Sequence, residues 1–241
     1  MTMSTPARRH QARVRAEQVA ASAAPGRSLA GASHYELMLA KLAADRRRLK
    51  ALQSVVRKVE VKREVLPEYA DYVSGALKGG RGAQDDVLTT VMIWRVDAGD
   101  YAGALDIARY ALQHGLTLPA HYERAAPAAI AEEFADAALI AIADGGTFDV
   151  DQLSEVRELT ETADMHDQIR SKLYKALGLA FMKSIGDDSL DDPTDYGRAR
   201  AALQSLETAL RLNARAGVKQ NINRLQTQVF DADGPCKAAR T

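Results

Sequence analysis

The sequence predicts an all-α protein, and three features carry that reading. Alanine is abundant, alongside leucine and arginine, and all three are good helix formers. The 7 prolines sit between periodic segments rather than inside them. No stretch sustains the two-residue alternation of a half-buried strand. With 241 residues, 46% of them apolar, the chain can bury one large core or two small ones.

Composition also narrows the function classes. The single cysteine, Cys236, rules out an internal disulfide framework and a multi-cysteine zinc site, and it suits a reducing compartment. No apolar run reaches the roughly 18 residues of a membrane span. The N-terminal arginines precede no apolar segment, so a secretory signal is not expected. The net charge of zero hides a split. Residues 1–63 hold 14 Lys/Arg against Glu17, Glu36, Asp45 and Glu60, a net of +10, which leaves −10 on the remaining 178 residues. Such a split predicts a polyanionic partner at one end, the plainer alternative being a solvated basic helix.

Residues 1–32 contain little that could be buried and read as a flexible basic arm, with Arg8, Arg9, Arg13 and Arg15 as its phosphate contacts. Next, Tyr35, Met38, Leu42, Asp45, Leu49, Leu52, Val56 and Val59 follow 3-4 spacing, broken in character only by Asp45. That heptad seam predicts one coiled-coil-like helix from Tyr35 to Arg63, about 42 Å long, with Ser33 as its N-cap. The seam must meet another helix of this chain or of a neighbouring subunit. The same helix carries the candidate DNA-binding residues Arg46, Arg47, Arg48, Lys50, Arg57, Lys58, Lys62 and Arg63. Their density suits non-specific phosphate contact and supplies no base code. Residues 33–65 are therefore expected to bind DNA and to oligomerise.

Residues 66–230 read as a helical-hairpin domain, and 231–241 as a flexible tail. Leu66–Leu77 is a short helix begun by Pro67 and ended by "KGGRG", which lacks the Lys-Ser/Thr of a phosphate loop. In "GAQDDVLTTVMIWRVDAGDYAGALDIARYALQHG", Asp85 and Asp86 precede a helix that is apolar nearly all round. They read as helix caps rather than catalytic carboxylates, and the helix as buried. Ala98-Gly99 ends it, Asp100 caps the next, and Gly103 and Ala104 allow close approach, which predicts a tight antiparallel hairpin. Further helices follow over Pro127–Asp144, Asp151–Thr162, Asp167–Ser184, Tyr196–Leu212 and Val218–Val229. "GDYAGALDIARYAL" and "TDYGRARAALQSLETAL" are similar to the second half of a tetratricopeptide repeat, so tetratricopeptide-like packing is expected, although no 34-residue period links them.

No catalytic motif emerges. The acidic loop Asp187, Asp188, Asp191, Asp192 and Asp195 lacks the glycine and glutamate of a calcium loop and reads as solvated caps. His10, His34, His114, His121 and His166 form no ligand pair, and no nucleophile elbow occurs. No catalytic residue, metal ligand or cofactor is assigned.

Two stretches, "YELMLAKLAADRRRLKALQS" (Tyr35–Ser54) and "GAQDDVLTTVMIWRVDAGDYAGALDIARYALQHGLTLP" (Gly82–Pro119), resemble the small terminase subunit of peduovirus-type temperate tailed phages. "REVLPEY", "AEEFADAAL" and "ETADMHDQIRSKLYKALGL" are similar to it in the same order, so the likeness runs from about Ser33 to Leu225. The resemblance implies a ring-like homo-oligomer that binds double-stranded phage DNA at the packaging (cohesive-end) site. It also implies recruitment of the large terminase subunit, which holds the ATPase and the nuclease. It places the chain in the host cytoplasm, outside the mature virion and away from membranes. Members are often called the terminase endonuclease subunit, but no motif in this sequence stands behind cleavage. The helix-turn-helix of many small terminases is not visible either, which leaves the basic heptad helix as its replacement. The alternatives are a metal-dependent endonuclease and a helical adaptor that binds only protein.

Overall fold

The computed structural model describes residues 5–22, 24–25, 33–186 and 190–233. Asp187, Asp188, Cys236 and the Ser33 side chain, singled out above, lie outside the described set. Among the described residues there are eleven α-helices, one 3-10 helix and no β-strand, so the all-α expectation holds. The chain divides into two compact units, Met1–Ala126 and Pro127–Thr241. The division lies well past residue 65, where the sequence suggests one. The first unit has 19 Lys/Arg against 13 Asp/Glu, net +6, and the second has the converse, net −6.

The first unit holds α1 (Pro6–Ser22), α2 (Ser33–Lys50), α3 (Val55–Val65), a 3-10 turn (Leu66–Tyr69), α4 (Ala70–Gly79), α5 (Asp86–Ala98) and α6 (Tyr101–Gln113). Its centre is α5, where Val87 through Trp94 and Val96 are all buried. A helix apolar on every side must be covered on every side. Here α2, α3, the 3-10 turn and α6 all pack on it.

Two expectations need correction. Residues 6–22 of the presumed flexible arm form α1, which lies against α4 with Ala16 and Ala20 buried. A Cβ at Gly75 would collide with the Arg13 carbonyl oxygen and the Ala16 Cβ, and one at Gly79 with the Glu17 backbone, so glycine permits this approach. The helix expected to run unbroken from Tyr35 to Arg63 is two helices. Helical bonding ends with Ala51 N–H to Arg47 C=O, 3.1 Å, and Ser54 turns extended to cap α3 by accepting the Arg57 N–H at 3.3 Å.

Before the break, the seam is real but internal. Tyr35, Leu42 and Leu49 are buried within the unit, and the Tyr35 hydroxyl accepts the Asp86 N–H at 3.2 Å. Asp45, the polar member, accepts from the Tyr69 hydroxyl at 2.6 Å and from Lys41 at 2.9 Å. Lys41 also lies 4.7 Å above the Tyr69 ring, and Tyr69 meets Trp94 edge-on at 6.1 Å. Past the break, α3 buries Val61 and Val65 instead, and Val56 is exposed. The seam expected over Tyr35–Val59 is therefore broken, and its buried members Tyr35, Leu42 and Leu49 are used within the unit.

The α5–α6 hairpin forms as the residues predict. Gly99 (φ 84°) donates to the Val96 carbonyl and Asp100 to that of Arg95, which closes α5, and Asp100 then caps α6 through the Gly103 N–H at 3.1 Å. Any Cβ at Gly103 would displace the Arg95–Asp100 ion pair. At the other end Asp85 caps α5, accepting from Leu88 N–H at 2.8 Å and from the Tyr72 hydroxyl at 2.7 Å.

The second unit comprises α7 (Ala126–Ala143), α8 (Val150–Leu159), α9 (Asp167–Lys183), α10 (Pro193–Leu212) and α11 (Lys219–Asp233). α9 and α10 pack closely at Gly178, where a Cβ would press into Leu206, and the Ser171 hydroxyl donates to the Ala209 carbonyl at 2.8 Å. Lys172 ties α9 to Glu132 and Asp136 of α7. The α5–α6 and α9–α10 pairs lie in different units, and this arrangement does not establish the expected tetratricopeptide-like packing.

Two outcomes follow from this packing. Gly75→Leu should release α1 while α2–α6 stay folded, read as rapid trypsin cleavage at Arg13 and Arg15 with little change in the helical melt of the remainder. Burial pushes the Asp85 carboxyl from 3.8 up to about 6, against hydrogen bonds from the Leu88 N–H, the Tyr72 hydroxyl and the Val87 N–H. The folded carboxyl thus keeps its proton to higher pH than the unfolded one, and the stability this contributes is lost as pH rises from about 4 through about 6. Asp85→Asn keeps the cap and removes the titration. The variant should gain on the parent by up to about 3 kcal/mol between pH 4 and 7, measured by urea unfolding at each pH. A difference independent of pH would refute it.

Candidate nucleic-acid interface

Because α2 and α3 are separate helices that both pack on α5, they supply two walls of an open groove of about 500 Å³. Arg46 and Lys50, one turn apart, and Arg47 come from α2; Lys58 and Lys62, also one turn apart, come from α3. Ala43 and Leu49 of α2, Trp94 of α5 and His121 of the segment after α6 complete the lining.

The eight basic residues predicted from sequence divide sharply. Arg46, Arg47, Lys50 and Lys58 line the groove, and their side chains have no hydrogen bond or carboxylate partner among the described residues. Lys62 lines it too, but its ammonium is paired with Asp97. The other three have partners within the unit. Arg48 grips Glu64 with two hydrogen bonds of 2.6 and 3.2 Å, which clamps α2 to α3 and holds the Glu64 carboxyl below its ordinary range. Arg57 pairs with Glu60 on its own helix at 3.2 Å. Arg63 donates to the Ala98 carbonyl at 2.9 Å, where a cation complements the C-terminal end of α5.

Sequence reasoning missed Trp94 and His121 as groove residues. They come from elements remote from the basic helix, and no spacing rule connects them to it. The His121 ring lies tilted against that of Tyr122, with centroids 4.2 Å apart. Burial, and then the positive charge of Arg46, lower its pKa, so near neutral pH it offers a hydrogen bond rather than a further charge.

The arm arginines contribute less to this face. Arg9 pairs with Asp71 of α4 at 3.2 Å, and Arg13 bonds His10 at 3.2 Å. No three His, Cys, Asp or Glu side chains among the described residues stand close enough to hold a metal ion. In the acidic loop, Asp192 caps α10 through the Thr194 N–H at 2.6 Å. Asp195 is buried and accepts from Gly186 N–H and Arg198, each at 3.0 Å. Those carboxylates are engaged as caps and tethers. No helix among the described residues is long and apolar enough to cross a membrane.

Comparison with known proteins identifies the family. The family model described as phage small terminase subunit matches residues 39–168, which span both walls of the groove and its Trp94 and His121 lining. The "Terminase, endonuclease subunit" of Escherichia phage P2 is 47% identical over 99% of this chain and 91% of its own length. The "Probable terminase, endonuclease subunit" of Haemophilus phage HP1 is 22% identical over 79% of this chain and 68% of its own. No solved structure matches significantly. The family match across more than half the chain, and the nearly full-length likeness to the P2 protein, support a role in phage DNA packaging and show that the chain belongs to the phage small terminase subunit family.

Proposed function

We propose that this chain holds duplex DNA of the packaging (cohesive-end) site by its phosphates on the α2–α3 face, self-associates, and recruits and regulates the large terminase subunit. The observation that carries the reading is the convergence of Arg46, Arg47, Lys50 and Lys58 on one groove without internal counter-ions. Cations brought together in this way repel one another and attract a polyanion. The +6 first unit suits the DNA, whereas the −6 second unit would be repelled by it and is left to meet protein. Self-association in a ring uses surfaces other than Tyr35, Leu42 and Leu49, which the fold already buries.

Gel-shift titration against salt tests the DNA contact. Four phosphate contacts give a log–log slope of roughly −3 to −4. Arg46→Ala with Arg47→Ala should reduce its magnitude by about 2 and weaken binding to any duplex. Arg48→Ala, which loses only the Glu64 clamp, should leave the slope unchanged. A slope near zero for the parent protein would overturn the reading in favour of an adaptor that binds only protein.

The printed names of both relatives favour a second reading, in which the chain itself cuts DNA. With the carboxylates of Asp85 and the acidic loop engaged in capping, purified protein given site DNA with magnesium or manganese should leave it intact. Cleavage that Asp85→Asn and Asp86→Asn abolish in a folded protein would assign the nuclease to this chain.

A further inference from the structure

The turn that separates α2 from α3 leaves two large apolar side chains in solvent. Val55 is 72% exposed and Val56 is 68% exposed, on the first turn of α3. Most exposed apolar residues stand alone; these two are consecutive and set among cations. Val55 lies one turn before Lys58 and two before Lys62, so it continues the stripe of α3 that lines the groove. Lys50, the last residue of α2, lines the same groove from the opposite wall.

We infer that Val55 and Val56 form an apolar wedge that enters between stacked base pairs of the bound duplex and kinks it; the inference rests on the reading of the groove as a DNA contact. Charge complementarity selects the occupant, because Lys50 and Lys58 beside the valines have no carboxylate partner among the described residues. Area points the same way. Two valines cover a small fraction of the roughly 800 Å² per partner that a stable protein interface buries. One or two apolar side chains are what insertion at a base step uses, with the unstacking offset by the extra phosphate contacts that a bent duplex makes. In this arrangement the groove cations grip the backbone on one side of the kink while the valines hold the step open.

The test is energy transfer across an end-labelled duplex carrying the phage cohesive-end sequence, with salt titration and light scattering on the same samples. The parent protein should shorten the end-to-end distance on binding. Val55→Ser with Val56→Ser, which alters only exposed side chains, should keep the melt and the salt slope, bind roughly tenfold more weakly, and leave the duplex straight. Arg46→Ala with Arg47→Ala should do the reverse, reducing the slope while the complexes that still form remain bent. If the parent binds with a normal slope but does not bend DNA, or the valine variant bends it equally, the wedge is wrong and the DNA contact stands. If the valine variant instead changes the oligomer mass, the valines are a subunit contact and the wedge is overturned. If the parent has no affinity for duplex, both readings fall together.

Discussion

The first unit is organised by the need to enclose α5. Val87 to Trp94 leave that helix no polar face to turn outward, so partners must surround it. A single straight helix over Tyr35–Arg63 could touch α5 along one line only. By breaking at residues 51–54, the chain brings two basic helices against α5, with Tyr35, Leu42 and Leu49 buried from one and Val61 and Val65 from the other. Lys62 and Arg63 reach the C-terminal end of α5, and the groove between the two helices follows from how the core is covered.

That same break sorts the cations by role. Near the Glu64 and Asp97 carboxylates and the C-terminal carbonyls of α5, Arg48, Lys62 and Arg63 act as fasteners. Such contacts fix the helices at the edges of the groove and leave its middle free of carboxylates. Asp45 shows the principle on the inner side. A carboxylate in an apolar seam would be costly alone, but the Tyr69 hydroxyl and Lys41 satisfy it, and through Tyr69 it reaches Trp94 at the groove. Groove and core are thus joined by one chain of contacts.

The sequence reveals what depends on local pattern. All-round apolarity marked α5 as buried, and Asp85, Gly99 and Asp100 marked the hairpin ends, because capping is decided within a few residues. It hid what depends on choice between neighbours. Leu52, Val56 and Val59 continue a heptad by spacing alone, and no proline or glycine marks the break; Ser54 was the single sign of a new N-cap. α1 was obscured for a different reason. Its buried residues are alanines, and what admits them is Gly75 and Gly79 on another helix, about 60 residues away. The eight basic residues were all visible, but which of them are neutralised depends on Glu64, Asp97 and Ala98 in space.

Carboxylates are not scarce near this face, and that makes the unpaired cations informative. Glu60, Glu64, Glu68 and Asp97 lie on the elements that surround the groove, and each pairs with a cation: Arg57, Arg48, Lys41 and Lys62. An exposed pair such as Arg57–Glu60 adds little stability, so folding alone gives no strong reason to pair one surface cation and leave another bare. The bare set is the one that converges. Four like charges crowded on one groove are a standing electrostatic cost to the folded chain, and the phosphates of a bound polyanion would offset it.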